Sequence, residues 1–273
     1  ALVAKYGDEP RLAVWESILS NLGTLERLAR GEPEQALIRR FLINFIQPRF
    51  AKLGWEPKAG ESAEERQLRA LLAGALARAG DERAIQEARQ RFARYQADPA
   101  SVSPEMLDFV VNTVGRYADG ATYAALGKQV AAASTDEERN RFGGALTLVQ
   151  DPALAENTLR MAISPQVPAN LASVIVAGVG REHPDQAWQF AVANREVLLK
   201  STDAVGRNRA LASVVAGSSD TRHADMMEGY VGQNFGPDAL VEARRVGNGI
   251  RVRAAQKARL LPQVRAALQA AKQ

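Results

Sequence analysis

Between Ser134 and Asn194 the chain is cut at near-regular intervals by signals that start helices. Ser134-Thr135-Asp136-Glu137 opens one, Asp151-Pro152 the next, Val167-Pro168 another and His183-Pro184-Asp185 a fourth. Each offers a side-chain oxygen to an orphan first-turn amide, or a proline that has no amide to satisfy. Helices this short cannot bury an apolar face alone, so they must stack on their neighbours. The punctuation therefore constrains the fold to an array of packed helices, an architecture of surfaces rather than of pockets.

The rest of the chain agrees. Ala, Leu, Arg, Glu and Gln are abundant, and β-branched alternation over a full strand length is hard to find. Ser62-Ala63-Glu64-Glu65 reads as a capping box, and Ser103-Pro104-Glu105 as a cap, a first-position proline and a first-turn acid. Gly80-Asp81-Glu82 ends one helix while capping another. Leu37, Phe41, Ile43 to Ile46 and Phe50 form an apolar stripe. The pattern predicts helices near 10–29, 33–52, 63–79, 81–96, 104–118, 120–132, 135–148, 151–162, 168–178, 185–199, 204–216, 221–233 and 237–269. Paired helices of this length joined by short polar turns predict an all-α, HEAT- or armadillo-like helical-repeat array; an irregular helical bundle is the competing reading. No glycine- or serine-rich linker interrupts the chain, so residues 1–273 are expected to form a single domain.

Composition narrows the function classes. Hydrophobic residues are 46% and charged residues 24% of the 273, as in a water-soluble globular protein. No apolar run approaches the roughly 18–20 residues that span a bilayer. Ala1 to Asp8 lacks the basic start and apolar stretch of a signal peptide, and the chain opens on Ala, at a mature end or a cut inside a longer protein. Zero cysteine excludes disulfides, thiolate nucleophiles and Cys-based zinc sites, but leaves cytoplasm and periplasm equally open.

The chemical inventory is mostly negative. The two histidines, His183 and His223, lie 40 positions apart, and neither has the second imidazole one helical turn away that a metallopeptidase helix needs. His183 reads as a loop residue, His223 as a surface residue, and no metal site is expected. No Gly-x-Ser-x-Gly elbow is present, although spacing leaves a Ser–His–Asp arrangement open. Gly178-Val179-Gly180 and Gly143-Gly144 lack the strand–turn–helix setting of a phosphate loop and read as close packing or turns. Trp15, Trp55 and Trp188 read as core anchors. Arg244, Arg245, Arg251, Arg253, Lys257, Arg259, Arg265 and Lys272 face one acid, Glu242, between Val241 and Gln273. That run reads as a solvated helix face, as a nucleic-acid surface without stacking aromatics, or as the lining of a cavity.

Several phrases carry a family resemblance. Leu53-Gly54-Trp55, a polar loop, then Glu64-Glu65-Arg66-Gln67-Leu68-Arg69-Ala70-Leu71-Leu72 resembles the C-terminal helical domain of gluzincin zinc aminopeptidases of the puromycin-sensitive and aminopeptidase N type, bacterial members included. Trp15-Glu16 with Leu19 and Leu22, Thr135 to Arg139 with Gly144-Ala145-Leu146 and Gln150-Asp151-Pro152 follow in the same order. Gly180-Arg181-Glu182-His183-Pro184 with Ala187-Trp188-Gln189-Phe190 and Asn194 is the most specific match. The family often has a Trp in its final helix where this chain has Ala254-Ala255-Gln256. The resemblance implies a domain that curves into a bowl over a zinc catalytic module of the same polypeptide, restricts access to peptides and touches the far end of the substrate. Zinc and the catalytic residues would belong to that module; this chain is expected to hold neither cofactor nor catalytic group. Long-substrate relatives place an aromatic–lysine pair for the peptide carboxylate where this chain has Glu26-Arg27, leaving Arg27 as the candidate cation, with Arg39 and Arg40 as further candidates. The alternative is an independent helical-repeat scaffold or nucleic-acid adaptor; the first reading expects no nucleic acid and no membrane span.

Overall fold

The computed structural model describes residues 3–165, 167–200 and 203–270, with the side chains of residues 3, 4, 169 and 204 outside the description. Among the described residues there are fourteen α-helices and no strand. They are α1 (Leu12–Leu28), α2 (Pro33–Leu53), α3 (Ala63–Arg78), α4 (Glu82–Ala97), α5 (Pro104–Arg116), α6 (Gly120–Ala132), α7 (Asp136–Leu146), α8 (Pro152–Ala162), α9 (Ala169–Val179), α10 (Pro184–Ala193), α11 (Arg195–Leu199), α12 (Ala204–Val214), α13 (Thr221–Asn234) and α14 (Pro237–Ala270). Contacts run chiefly between helices close in sequence, α2 with α3, α3 with α4, α6 with α7 and α8 with α9. That locality is the signature of a helical-repeat array.

The start signals work as their chemistry requires. The Glu65 amide donates to Ser62 Oγ at 3.2 Å while the Ser62 amide donates to Glu65 Oε2 at 3.0 Å, closing the box at α3. Thr135 and Glu138 do the same at α7. At the α3–α4 junction Gly80 takes φ +89°, a left-handed conformation that costs glycine little. The Asp81 amide then reaches Leu76 O and the Gly80 amide Ala77 O, satisfying carbonyls that the helix end leaves open. Asp81 Oδ1 in turn accepts from the Ala84 amide at 2.9 Å.

Two expectations shift. The segment 185–199 is two helices, α10 and α11, because Asn194 breaks it at φ −112°, ψ 20°. Its side-chain amide and its backbone N–H both donate to Phe190 O, so the asparagine caps the helix instead of extending it. On α2 the buried stripe is Ile38, Leu42, Phe45, Ile46, Phe50 and Leu53, one position round from the stripe read in the sequence. Phe41 stays at its edge, stacked on Phe45 at 5.9 Å. Both α2 and α14 run through an internal proline, Pro48 and Pro262. The residues whose carbonyls lose a donor, Asn44 and Ala258, are exposed, so water can replace the missing N–H.

Contacts divide the chain into two compact units, residues 1–114 with 257–273, and residues 115–256. In the first, Trp15 is completely buried, tilted against Phe45 at 5.0 Å, and donates from Nε1 to Glu9 O at 2.8 Å. In the second, Val149, Leu159, Val176, Val179, Trp188, Leu211, Val215, Met227 and Ile250 belong to one apolar core. There the Tyr123 hydroxyl and the Leu146 and Leu154 carbonyls converge on buried Thr158 Oγ1, tying α6, α7 and α8. The glycines read as packing devices divide. A Cβ on Gly178 would lie 2.9 Å from Thr147 and one on Gly180 2.0 Å from Val214 O, whereas Gly143 and Gly144 have open space.

Candidate functional site

The three candidate cations lie on α1 and α2. Glu26 accepts from Gln35 Nε2 at 2.9 Å and from Arg39 Nε and Nη2 at 2.8 and 2.7 Å, so the Arg39 fork is already matched by a carboxylate. Arg27, one residue on, is exposed and donates from Nη2 to Thr24 Oγ1 at 2.9 Å. Arg40 is exposed and makes no ion pair among the described residues. Arg27 and Arg40 are thus available to an external anion, and Arg39 only if it leaves Glu26.

The loop after α2 builds a more enclosed feature of the same unit. Gly54, at φ +72°, turns the chain out of α2 and sends Trp55 to pack edge-on against Phe50 at 4.6 Å and to stack on Phe109 of α5 at 5.9 Å. Trp55 is only partly buried, unlike Trp15 and Trp188. Two arginines lie under it. Arg69 of α3, 1% exposed, donates from Nε to Gly54 O at 2.9 Å and pairs with Glu61. Arg91 of α4, 4% exposed, donates from Nη2 to Trp55 O at 3.2 Å, from Nη2 to Glu56 at 2.6 Å and from Nε to Glu87 at 2.8 Å. Burying two guanidinium groups is tolerable only because every one of these acceptors is in place. A cavity of about 260 Å³ lies here, lined by Trp55, Arg66, Arg91, Ser103 and Met106 among others. The sequence reads Trp55 as a core anchor, which its partial exposure corrects, and carries Arg69 only within a family resemblance. Arg69 falls on the same helical face as Leu72 and Leu76, and an arginine at a core position signals a buried polar cluster.

In the second unit Trp188 and Tyr230 meet edge-on at 5.8 Å beside an open groove of about 640 Å³ lined by Val192, Met226, Gly229 and Gln233. His183 precedes α10, its Nε2 2.8 Å from Val149 O. His223 is a correction: it is 4% exposed, not at the surface. Its Nε2 donates to Asp185 Oδ1 at 2.9 Å, and its Nδ1 lies 2.7 Å from the Ser218 hydroxyl. Ser218 Oγ accepts from the Asp220 amide as well, and this Ser–His–Asp set pins the start of α13 to α10. A helix turns toward a buried histidine when two polar neighbours wait for it, which a single sequence does not reveal.

The basic run of α14 is largely neutralised within each unit. Arg245 pairs with Glu242, Arg251 with Asp225 and Glu228, Lys257 with Glu32 and Arg265 with Glu34. Arg253 donates to Ser218 O at 2.8 Å and to Ala216 O. Arg244 and Arg259 alone of this run lack a partner among the described residues, and Lys272 lies outside them. Among the described residues no group of three or more His, Asp or Glu side chains is placed to hold a metal ion, and no helix is long and apolar enough to cross a membrane.

Comparison with known proteins adds the context that geometry alone lacks. The family model described as the ERAP1-like C-terminal domain matches residues 1–245. Aminopeptidase M1-A of Oryza sativa subsp. japonica is 30% identical over 197 residues, covering 69% of this chain and 22% of that protein. Aminopeptidase M1 of Arabidopsis thaliana is 28% identical over 159 residues (56% and 18%), and Aminopeptidase 2 of Candida albicans 28% over 125 (45% and 14%). The chain spans about a fifth of the length of these relatives or less.

Proposed function

This chain belongs to the family of ERAP1-like C-terminal domains, and on that premise we propose that it is the C-terminal, substrate-enclosing domain of a zinc metallo-aminopeptidase that removes N-terminal residues from peptides. The observation that carries the reading is a family match over residues 1–245 joined to in-order similarity with aminopeptidases. Residues 1–273 act as one domain, forming a bowl over the catalytic module of the same polypeptide. Zinc and the water it activates belong to that module, and this chain's part is to admit, hold and exclude. A helical array suits this role because it offers a broad wall of side chains in place of a deep pocket.

The test is reassembly. The catalytic module, expressed alone, should bind this chain added in trans and then change its preference between peptides and single-residue chromogenic amides. No association, with unchanged preference, would contradict the proposal. Within it, Arg27 is the cation for the far end of the peptide, because it is exposed and tied to a hydroxyl instead of an acid. In the full-length enzyme Arg27→Ala should raise KM about tenfold for peptides with a free carboxylate, the loss of one charge-assisted contact, and leave chromogenic amides untouched. Equal effects on both substrates would remove Arg27 from the binding surface.

A further inference from the structure

The cavity under Trp55 has a chemistry that structural duty does not use up. Arg91 is fixed from one side by Glu87 on its Nε and by Trp55 O on its Nη2. Its remaining acid, Glu56, sits on the loop after α2 with a side chain 73% exposed, against 5% for Arg91. The exposed acid gains little from the pair, so Glu56 can give way to another carboxylate, provided the newcomer keeps the buried guanidinium paired. Glu56 touches Nη2, and the adjacent Nη1 makes no hydrogen bond among the described residues, so a carboxylate in the place of Glu56 can span the two nitrogens. Across the cavity Arg66 donates from Nε to Glu105 at 3.3 Å and from Nη1 to Glu61 O at 3.1 Å, leaving Nη2 without a hydrogen bond among the described residues. The apolar part of the lining is the indole of Trp55 with Pro57, Ala100 and Met106. At about 260 Å³ the space lies just below the roughly 300–1,000 Å³ of drug-sized pockets, so the occupant is small.

We propose that this cavity is a binding site for a small organic carboxylate, which displaces Glu56 from Arg91, reaches Arg66 and lays a short apolar body against Trp55 and Met106. Glu56 is then a built-in competitor: its carboxylate occupies the position the ligand takes, and the buried guanidinium keeps Glu87 and the Trp55 carbonyl in either state. The carboxylate comes from a free small acid or from the last residue of a peptide; the contacts are the same. The proposal stands apart from Arg27 and from the aminopeptidase reading, since it rests on the geometry of one unit alone, and its failure would leave both in place.

The probe is N-acetyl-L-leucine against its amide, read by the indole N–H signals of the 15N-labelled chain. The three tryptophans give an internal control, because Trp55 lines this cavity and Trp15 and Trp188 are not among its lining residues. The acid should move the Trp55 signal saturably and the amide should bind about tenfold more weakly, as expected when a charge-assisted contact is lost. Glu56→Gln should tighten the acid about threefold or more, because removing a competitor for the competent state restores affinity. Arg66→Gln, a partly exposed position that spares the buried guanidinium groups, should loosen it. A short leucine-terminated peptide that moves Trp55 as the small acid does would identify a chain end as the source; one that does not would identify a free acid. Either leaves the carboxylate site standing. An unmoved Trp55 signal in both the native chain and Glu56→Gln, or acid and amide binding alike, would overturn the proposal.

Discussion

Replacing Gly180 by Ala puts a methyl group where the structure has no room. Gly180 ends α9 at φ −60°, ψ −16°, a right-handed conformation that alanine adopts without strain. A Cβ built there lies 2.0 Å from the Val214 carbonyl oxygen of α12, and Val214 is 2% exposed. The obstacle is backbone, not the tip of a flexible side chain, so α9 and α12 must part by about 1 Å in a core packed like a crystal. Overpacking of this kind costs about 1–3 kcal/mol, while losing a glycine from the unfolded chain returns about 0.4–1 kcal/mol. The net is a destabilisation of about 1–2 kcal/mol. Gly127 of α6 isolates the second term, since a Cβ there meets nothing within 4 Å in the same unit. Gly127→Ala should stabilise by up to about 1 kcal/mol. At about 2–4 °C per kcal/mol for a unit of this size, thermal unfolding followed by circular dichroism should separate the two variants by several degrees in opposite directions. If Gly180→Ala were as stable as Gly127→Ala, the close approach of α9 and α12 would be wrong.

Two further outcomes follow from the same packing and charges. Trp188→Ala removes a ring that is 5% exposed and packed edge-on against Tyr230, and should cost about 3–5 kcal/mol; an unchanged Tm would refute the burial. Acid should weaken the fold: the first-turn amide of α2, with Arg265 beside it, holds the Glu34 carboxyl below its ordinary value, and Ser62 and Ser134 hold Glu65 and Glu138 down likewise. A depressed folded value means stabilisation that is present above the unfolded carboxylate range, near pH 4, and lost as pH falls through the folded value. Tm measured from about pH 6 to pH 3 should therefore fall, and less steeply in Glu34→Gln; parallel curves for the two would rule out that carboxylate as a contributor.

The helices were legible because their ends are written locally. Ser62 with Glu65, Thr135 with Glu138, and Gly80 with Asp81 need only their own neighbours to act, so spacing alone reveals them. The burial of His223 was not legible, because Asp185 and Ser218 reach it from 38 and 5 residues away and only the fold assembles them. The same holds for α14, whose basic run looks like a free cationic face until Asp225, Glu228, Glu32 and Glu34 are placed beside it. The Arg91 cavity combines a loop acid and a loop indole with side chains of α3, α4 and α5 drawn from positions 55 to 106, and its one local trace was Arg69, an arginine amid core leucines.

The most direct test of the aminopeptidase reading is the release of N-terminal residues from a free peptide by the full-length parent protein, with and without a zinc chelator, beside this chain alone. The account predicts turnover by the parent, its loss on chelation and none from residues 1–273. A parent that releases nothing, one indifferent to chelation, or a chain that turns over peptide by itself would contradict it.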